Sequence, residues 1–269
     1  MKRRRDHRAY LIDIEGVLVR DKRYEPVPGV VDWINGLVRC GTPFCLVSNN
    51  TTHRPEDLIA DLVAAGYNLH LEHLVGALGL GVQWLRQRER RNIMWLGTPT
   101  LADFWAKEGF ELIDEGPCDA IVLGVNPELE PGDLDRVLPA LLDDNADLVC
   151  LHRNSFYLDA LGQRRLGPGA WAAALEALGG GGQGVTIGKP STAIYEEALK
   201  RVGVPAEEAL FISDDPISDL VTAGQLGMGT VFVLSGKYPD HEVLGRLDQE
   251  QWPDIICSSC SDLDEEGDH

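Results

Sequence analysis

Short aliphatic or β-branched runs recur along this chain between longer amphipathic stretches, at residues 9–12, 44–47, 93–96, 120–123, 147–151, 209–212 and 230–234. Continuous apolar runs of that length read as strands buried on both faces. The stretches between them, among them 30–40, 55–65, 100–109, 132–143, 169–178 and 192–202, carry helical periodicity. Several open on polar residues or Pro and stop at Gly66, Gly109 or Gly179. Strands alternating with helices predict an α/β fold, a doubly wound parallel sheet covered on both faces. With 269 residues, 44% of them apolar and 25% charged, the chain has the composition of a globular protein and the length for a core plus a second domain.

The formal charge of −19 opposes binding to phosphate backbones or anionic lipid surfaces, so no nucleic-acid or membrane partner is expected. An anionic substrate would need a local metal or a few basic side chains. The apolar run after Lys2-Arg3-Arg4-Arg5 is too short for a signal peptide, and no stretch is long enough to span a bilayer. A cytoplasmic location is therefore expected. Six cysteines in a chain of this size are not a disulfide framework, and the close pair Cys257 and Cys260 lacks the second pair or histidines that a zinc site needs. The last residues, 262–269, read as an acidic tail.

Four polar segments each follow an apolar run: Asp13-Ile14-Glu15-Gly16, Ser48-Asn49-Asn50-Thr51, Gly188-Lys189-Pro190, and Ser213-Asp214-Asp215 continuing to Asp219. Asp13 is expected at the carboxyl edge of its sheet, where such folds bind ligands, and a carboxylate there can attack phosphorus. It can equally cap the following turn. The Ser48 hydroxyl, with nearby N–H groups and a helix start, can cradle a phosphoryl oxygen, although Ser, Asn and Thr also favour turns and caps. Lys189 can neutralise charge between a carboxylate nucleophile and a phosphoryl group, or be an exposed loop lysine. Asp214 and Asp219 repel one another unless a cation is present, and Mg2+ prefers such oxygen ligands; the plainer alternative is a solvated acidic loop.

Together and in this order, the segments resemble the haloacid dehalogenase superfamily, which is mostly phosphatases. Asn49-Asn50-Thr51, the large insertion and Leu234-Ser235-Gly236 resemble its subgroup with a large α/β cap. That subgroup includes pyridoxal phosphate, phosphoglycolate and nitrophenyl phosphatases and nucleotide-acting relatives. Gly167-Pro168-Gly169 before a helix resembles a branch that includes phospholysine-phosphohistidine-inorganic pyrophosphate phosphatase. The resemblance implies a Rossmann-like core of residues 1–78 with 185–269, and a cap of 79–184 that selects substrate.

By this resemblance, Asp13 is the nucleophile, Glu15 shuttles protons, Ser48 and Asn49 position the phosphoryl group, and Lys189 balances charge. Mg2+ is held by Asp13, the backbone carbonyl of Glu15, Asp214 and Asp219. The expected partner is a small phosphorylated metabolite, and a homodimer through the cap is consistent with the family. The family's residue two after the nucleophile is normally Asp, so Glu15 departs from the pattern. So do Ser213, where Gly is usual, and Asp215, where a basic residue is common. The extra methylene of Glu15 moves its carboxyl by roughly 1.5 Å, which leaves three readings: a working phosphatase with Glu15 repositioned, a slow one that accumulates phospho-Asp13, or a phosphate-binding protein without useful turnover. In the cap, His152-Arg153-Asn154 follow a strand and either overhang the core site, with Arg153 taking a second anionic group, or form a polar loop. Tyr157 and Trp171 can pack in the cap core or against a substrate ring, core packing being the plainer expectation. A dinucleotide-binding oxidoreductase is disfavoured, because no Gly-x-Gly-x-x-Gly turn follows the first strand.

Overall fold

The computed structural model describes residues 7–20, 24–158, 163–179 and 184–263. The basic start at 2–5, most of the glycine run 179–182 and most of the acidic tail lie outside the described residues. The strands are β1 (Ala9–Ile12), β2 (Phe44–Ser48), β3 (Leu74–Gly76), β4 (Asn92–Leu96), β5 (Glu111–Leu112), β6 (Ala120–Leu123), β7 (Asp147–Cys150), β8 (Phe156–Leu158), β9 (Arg164–Leu166), β10 (Val185–Thr186), β11 (Ala209–Ser213), β12 (Gly229–Val233) and β13 (Ile255–Cys257). The helices are α1 (Val30–Cys40), α2 (Pro55–Ala64), α3 (Ala77–Gln87), α4 (Ala102–Lys107), α5 (Pro131–Leu142), α6 (Pro168–Glu176), α7 (Thr192–Val202) and α8 (Val221–Gln225). They build two compact units, Met1–Ser48 with Glu56–Val75 and Thr192–His269, and Asn49–Pro55 with Gly76–Ser191.

The first unit is built on a six-stranded sheet in the order β13-β12-β11-β1-β2-β3, and its pairings from β13 to β2 are all parallel. Every residue of β2, β11 and β12 is buried, as expected for strands covered on both faces. In α1, Val30, Trp33, Ile34 and Leu37 fall at i, i+3, i+4 and i+7 and are buried. Each such side chain contributes about 1.5–3 kcal/mol. On another part of the sheet, α7 packs against β1 and β2.

The second unit holds a five-stranded parallel sheet, β10-β7-β6-β4-β5, and a β8–β9 hairpin. Along β6 the side chains alternate. Ala120 and Val122 join a cluster with Leu78, Val82 and Leu85 of α3 and Phe104 and Trp105 of α4. Ile121 and Leu123 join Val137, Ala140 and Leu141 of α5 and Ala172 and Leu175 of α6. Both sheets are thus wound on the α/β plan that the strand-helix alternation predicts. Among the described residues, no helix is long and apolar enough to cross a membrane.

The units change over at Val75/Gly76 and Ser191/Thr192, near the expected Leu78 and Val185, and Asn49–Pro55 groups with the second unit as well. Two short elements account for the difference. Leu78 sits inside α3, a helix of the second unit's core. Val185 and Thr186 form β10, which pairs with Val149 and Cys150 of β7, so residues 185–191 belong with the second sheet.

Candidate active site

In a parallel sheet all strands deliver their carboxyl ends to one edge, and register decides which residues meet there. Ile12 is paired with Ile212, and the Asp13 N–H donates to the Ile212 carbonyl (2.9 Å). Asp13 therefore leaves the sheet beside Ser213, which is paired in turn with Phe232 of β12. On the other side, β2 ends at Ser48. All the acidic residues of this edge that the sequence singles out, except Glu15, are buried: Asp13, Asp214, Asp215 and Asp219, with Ser48 and Ser213. Glu15 is exposed.

Asp13 Oδ1 accepts the Ile14 N–H (2.8 Å), and its Oδ2 lies 3.4 Å from the Ser213 hydroxyl. Ser213 Oγ donates to Asp219 Oδ2 (2.8 Å) and accepts the Asp215 N–H (3.1 Å). The hydroxyl that replaces the family's usual Gly thus joins three of the acidic residues. Asp215 Oδ1 accepts the N–H groups of Ile217 (3.2 Å) and Ser218 (3.0 Å), closing the turn, while Oδ2 accepts from Lys237 Nζ (2.6 Å). The Lys237 N–H donates to Asp214 Oδ2 (2.6 Å), and Ser235 Oγ donates to the Gly16 carbonyl (2.7 Å). Gly16 has φ of 81°, and a Cβ there would run into the Asp214 carboxylate, as would one on Gly236. Only glycine satisfies both demands at position 16.

Two neighbouring carboxyls respond in opposite directions to this setting. Burial, then the charges of Asp13, Asp219 and Asp215, push Asp214 well above the usual carboxylate range. Burial also opposes ionisation of Asp215, but the Lys237 ammonium and the turn's hydrogen bonds outweigh it and hold that carboxyl below the usual range. A buried anionic cluster of this kind calls for a cation. Among the described residues no three His, Cys, Asp or Glu side chains form a metal cage by themselves. That donor set fits Mg2+, which is commonly held by one or two carboxylates and completed by water and phosphate oxygens. Asp13, Asp214, Asp219 and the Glu15 carbonyl are the residues that could hold it; one oxygen of each carboxylate already accepts a hydrogen bond, from the Ile14 N–H, the Lys237 N–H and the Ser213 hydroxyl in turn.

Asn49, Lys189 and His152-Arg153-Asn154 fall in the second unit. Asn49 brackets Lys189: its Oδ1 accepts the Lys189 N–H (2.8 Å) and its Nδ2 donates to the Lys189 carbonyl (3.0 Å). The Asn49 side chain fixes the lysine's backbone. Asn50 Oδ1 accepts the N–H groups of Thr52 and His53 (both 3.0 Å), and the Thr51 hydroxyl accepts the Val125 N–H (3.0 Å). Lys189 is buried, not an exposed loop lysine. His152 is buried too; among the described residues its Nδ1 has no hydrogen-bond partner, and burial followed by the nearby Lys189 charge pulls its pKa down to about 4.

Arg153 is not available for a second anionic group. It pairs bidentately with Glu176 (2.6 and 2.9 Å) and donates to Thr186 Oγ1 (2.8 Å) and the Gly184 carbonyl (2.8 Å). It braces β7, α6 and β10 against one another. The Asn154 carbonyl accepts the Gly169 N–H (3.1 Å), and side chains on Gly167 or Gly169 would strike the backbone of Asn154 or Arg153. The Gly167-Pro168-Gly169 segment is therefore a packing solution for this loop, with Pro168 opening α6. Trp171 packs in the second unit's core as expected.

The residue that sequence reasoning missed is Lys237. The signal that could have found it is its position just beyond β12, since the loop after that strand must emerge at the same edge as Asp214.

A haloacid dehalogenase-like hydrolase model matches residues 10–111, and a second model of HAD-hydrolase-like proteins matches residues 186–263. The chain is 30% identical over 239 residues to haloacid dehalogenase-like hydrolase domain-containing protein 2 of Rattus norvegicus, covering 88% of each. It is 25% identical over 230 residues to the ribonucleotide monophosphatase NagD of Escherichia coli K12, covering 84% of this chain and 87% of that one. A p-nitrophenyl phosphatase from Archaeoglobus fulgidus has the same fold, with a TM-score of 0.85 over 97% of this chain and all of the other at 24% identity. With family models matching residues 10–111 and 186–263 and a relative matched along most of its length, this chain belongs to the haloacid dehalogenase-like hydrolases.

Proposed function

We propose that this hydrolase is a Mg2+-dependent phosphatase that cleaves small phosphate monoesters through an aspartyl-phosphate. The observation that carries the reading is Asp13: a buried carboxylate at the carboxyl edge of a parallel sheet, joined to the acidic cluster of Asp214 and Asp219 through the Ser213 hydroxyl. Its Oδ1 is held by the Ile14 N–H, so the group is oriented before any substrate arrives.

Asp13 attacks the phosphorus, forming an acyl phosphate as the ester oxygen departs, and Glu15 gives that oxygen a proton. Glu15 then takes a proton from water, which attacks the same phosphorus, releasing inorganic phosphate and restoring the Asp13 carboxylate. The Ser48 hydroxyl and the Asn49 N–H bind phosphoryl oxygens. Lys189, its backbone fixed by Asn49, offsets the charge of nucleophile and phosphate. Ser213 keeps the Asp219 carboxylate in place. Magnesium, held by Asp13, Asp214, Asp219 and the Glu15 carbonyl, would supply the positive charge that lets an anionic nucleophile approach an anionic phosphate. The second unit selects the substrate, and the named activities of the relatives support a small, soluble phosphorylated metabolite.

The test is phosphate release from p-nitrophenyl phosphate and a panel of small phosphate esters, with and without Mg2+. Release that needs the metal and falls at least a thousandfold in Asp13→Asn is the expected result. Undiminished release by the variant, or by the metal-free protein, refutes the proposal.

A further inference from the structure

The loop after β12 is fastened to the acidic cluster at three points within the first unit. Ser235 Oγ donates to the Gly16 carbonyl (2.7 Å), the Lys237 N–H donates to Asp214 Oδ2 (2.6 Å), and Lys237 Nζ reaches Asp215 Oδ2 (2.6 Å). Between the first and second of these lies Gly236, which must stay without a side chain because the Asp214 carboxylate occupies the space. The Asp214 carboxylate therefore sits between the backbones of Gly16 and Gly236, with one oxygen capped by a main-chain N–H.

A main-chain donor is only as well aimed as the loop that carries it, and a loop running through glycine has much freedom to lose. The ammonium of Lys237 supplies the missing constraint. Its partner Asp215 is itself fixed, because the other oxygen of that carboxylate accepts the N–H groups of Ile217 and Ser218. Asp215 thus works as a bracket: one oxygen closes its own turn, the other anchors the neighbouring loop. This also explains an acidic residue at 215, since the positive charge of this corner comes from position 237.

We propose that Lys237 is a positioning residue for Asp214. Its ammonium, anchored on Asp215, keeps its own N–H on Asp214 Oδ2, and that fixes which carboxylate oxygen is offered to a divalent cation. The inference rests on the reading of Asp214 as a magnesium ligand. Residues that orient a ligand carboxylate are commonly worth ten- to a hundredfold in metal affinity.

The experiment is Mg2+ titration by calorimetry of the wild type, Lys237→Met, Asp215→Asn, the double variant and Lys237→Arg, with circular dichroism melts to establish folding. Asp215→Asn keeps an oxygen for the Ile217 and Ser218 N–H groups, so it removes the anchor without opening the turn. Each single variant is expected to bind Mg2+ about tenfold more weakly, the double variant no worse than either, and Lys237→Arg within threefold of the wild type. The KM for phosphate ester at saturating Mg2+ should stay within twofold. Unchanged Mg2+ affinity in folded single variants overturns the proposal. So does a rise in KM with Mg2+ affinity intact, which would make Lys237 a substrate ligand, and so does strict additivity of the two losses. A wild type that binds no Mg2+ overturns the metal reading itself, and this inference with it.

Discussion

Replacing His152 by glutamine should flatten the acid limb of the protein's stability profile. An unfolded histidine takes up its proton near pH 6.5, whereas burial and the Lys189 charge delay protonation of the folded His152 to about pH 4. Above pH 6.5 both states are neutral and the folded protein has its full stability. Between pH 6.5 and pH 4 the unfolded chain binds a proton that the native state refuses, so stability falls as pH falls. Each pH unit of that gap is worth about 1.4 kcal/mol, which gives ~3 kcal/mol in full and most of it by pH 4.5. The acidic groups of the first unit titrate in wild type and variant alike and cancel in the comparison. Urea unfolding at pH 7.5 and pH 4.5, followed by tryptophan fluorescence, measures the difference; Trp84, Trp95, Trp105 and Trp171 all lie in the second unit with His152. The wild type should lose about 2–2.5 kcal/mol more than His152→Gln between the two pH values. Equal losses would refute the reasoning, because a histidine whose removal leaves the slope unchanged is not held neutral by the fold.

Arg153→Ala should lower thermal stability by about 1–3 kcal/mol, since it strands Glu176 and the Gly184 carbonyl, while leaving the KM for phosphate esters unchanged; melting curves and initial rates check both halves. Gly16→Ala pushes a methyl into the Asp214 carboxylate from a φ that costs a side chain about 1–2 kcal/mol, and should weaken Mg2+ binding measured by calorimetry more than tenfold. Glu15→Gln should slow hydrolysis of the phosphoenzyme by about a hundredfold or more in single-turnover assays. Glu15→Asp, which restores the family's usual reach, should raise kcat.

Two helices were legible to the residue. The stretches 30–40 and 192–202 match α1 and α7, because α1's apolar residues follow the helical period and α7 begins and ends at clear polar and Gly signals. By contrast α3 is not among the expected helices, and Gly79 and Gly81 interrupt its pattern. Gly81 is there because the Leu151 side chain fills its place, at 2.7 Å from where a Cβ would stand, and no local pattern reveals that. Strands of two or three residues such as β5 and β10 are too short to have a period at all. The candidate site divides the same way. Asp13, Ser48 and Asp214 were singled out because each lies at or just beyond the end of an apolar strand. Lys237 and the hydroxyl hub at Ser213 were not, because their meaning comes from strand register and neighbouring loops. Arg153 stayed open between two readings because its partner Glu176 lies in another element, and sequence gives the charge of a side chain without its address.

The most direct measurement is acid-quenched peptide mapping of the enzyme during turnover of p-nitrophenyl phosphate with Mg2+. Phosphate should be found on the peptide carrying Asp13, be removable by hydroxylamine as an acyl phosphate must be, and be absent from Asp13→Asn. Turnover that proceeds at the wild-type rate in Asp13→Asn, or that places phosphate on any other residue, would contradict Asp13 as the nucleophile.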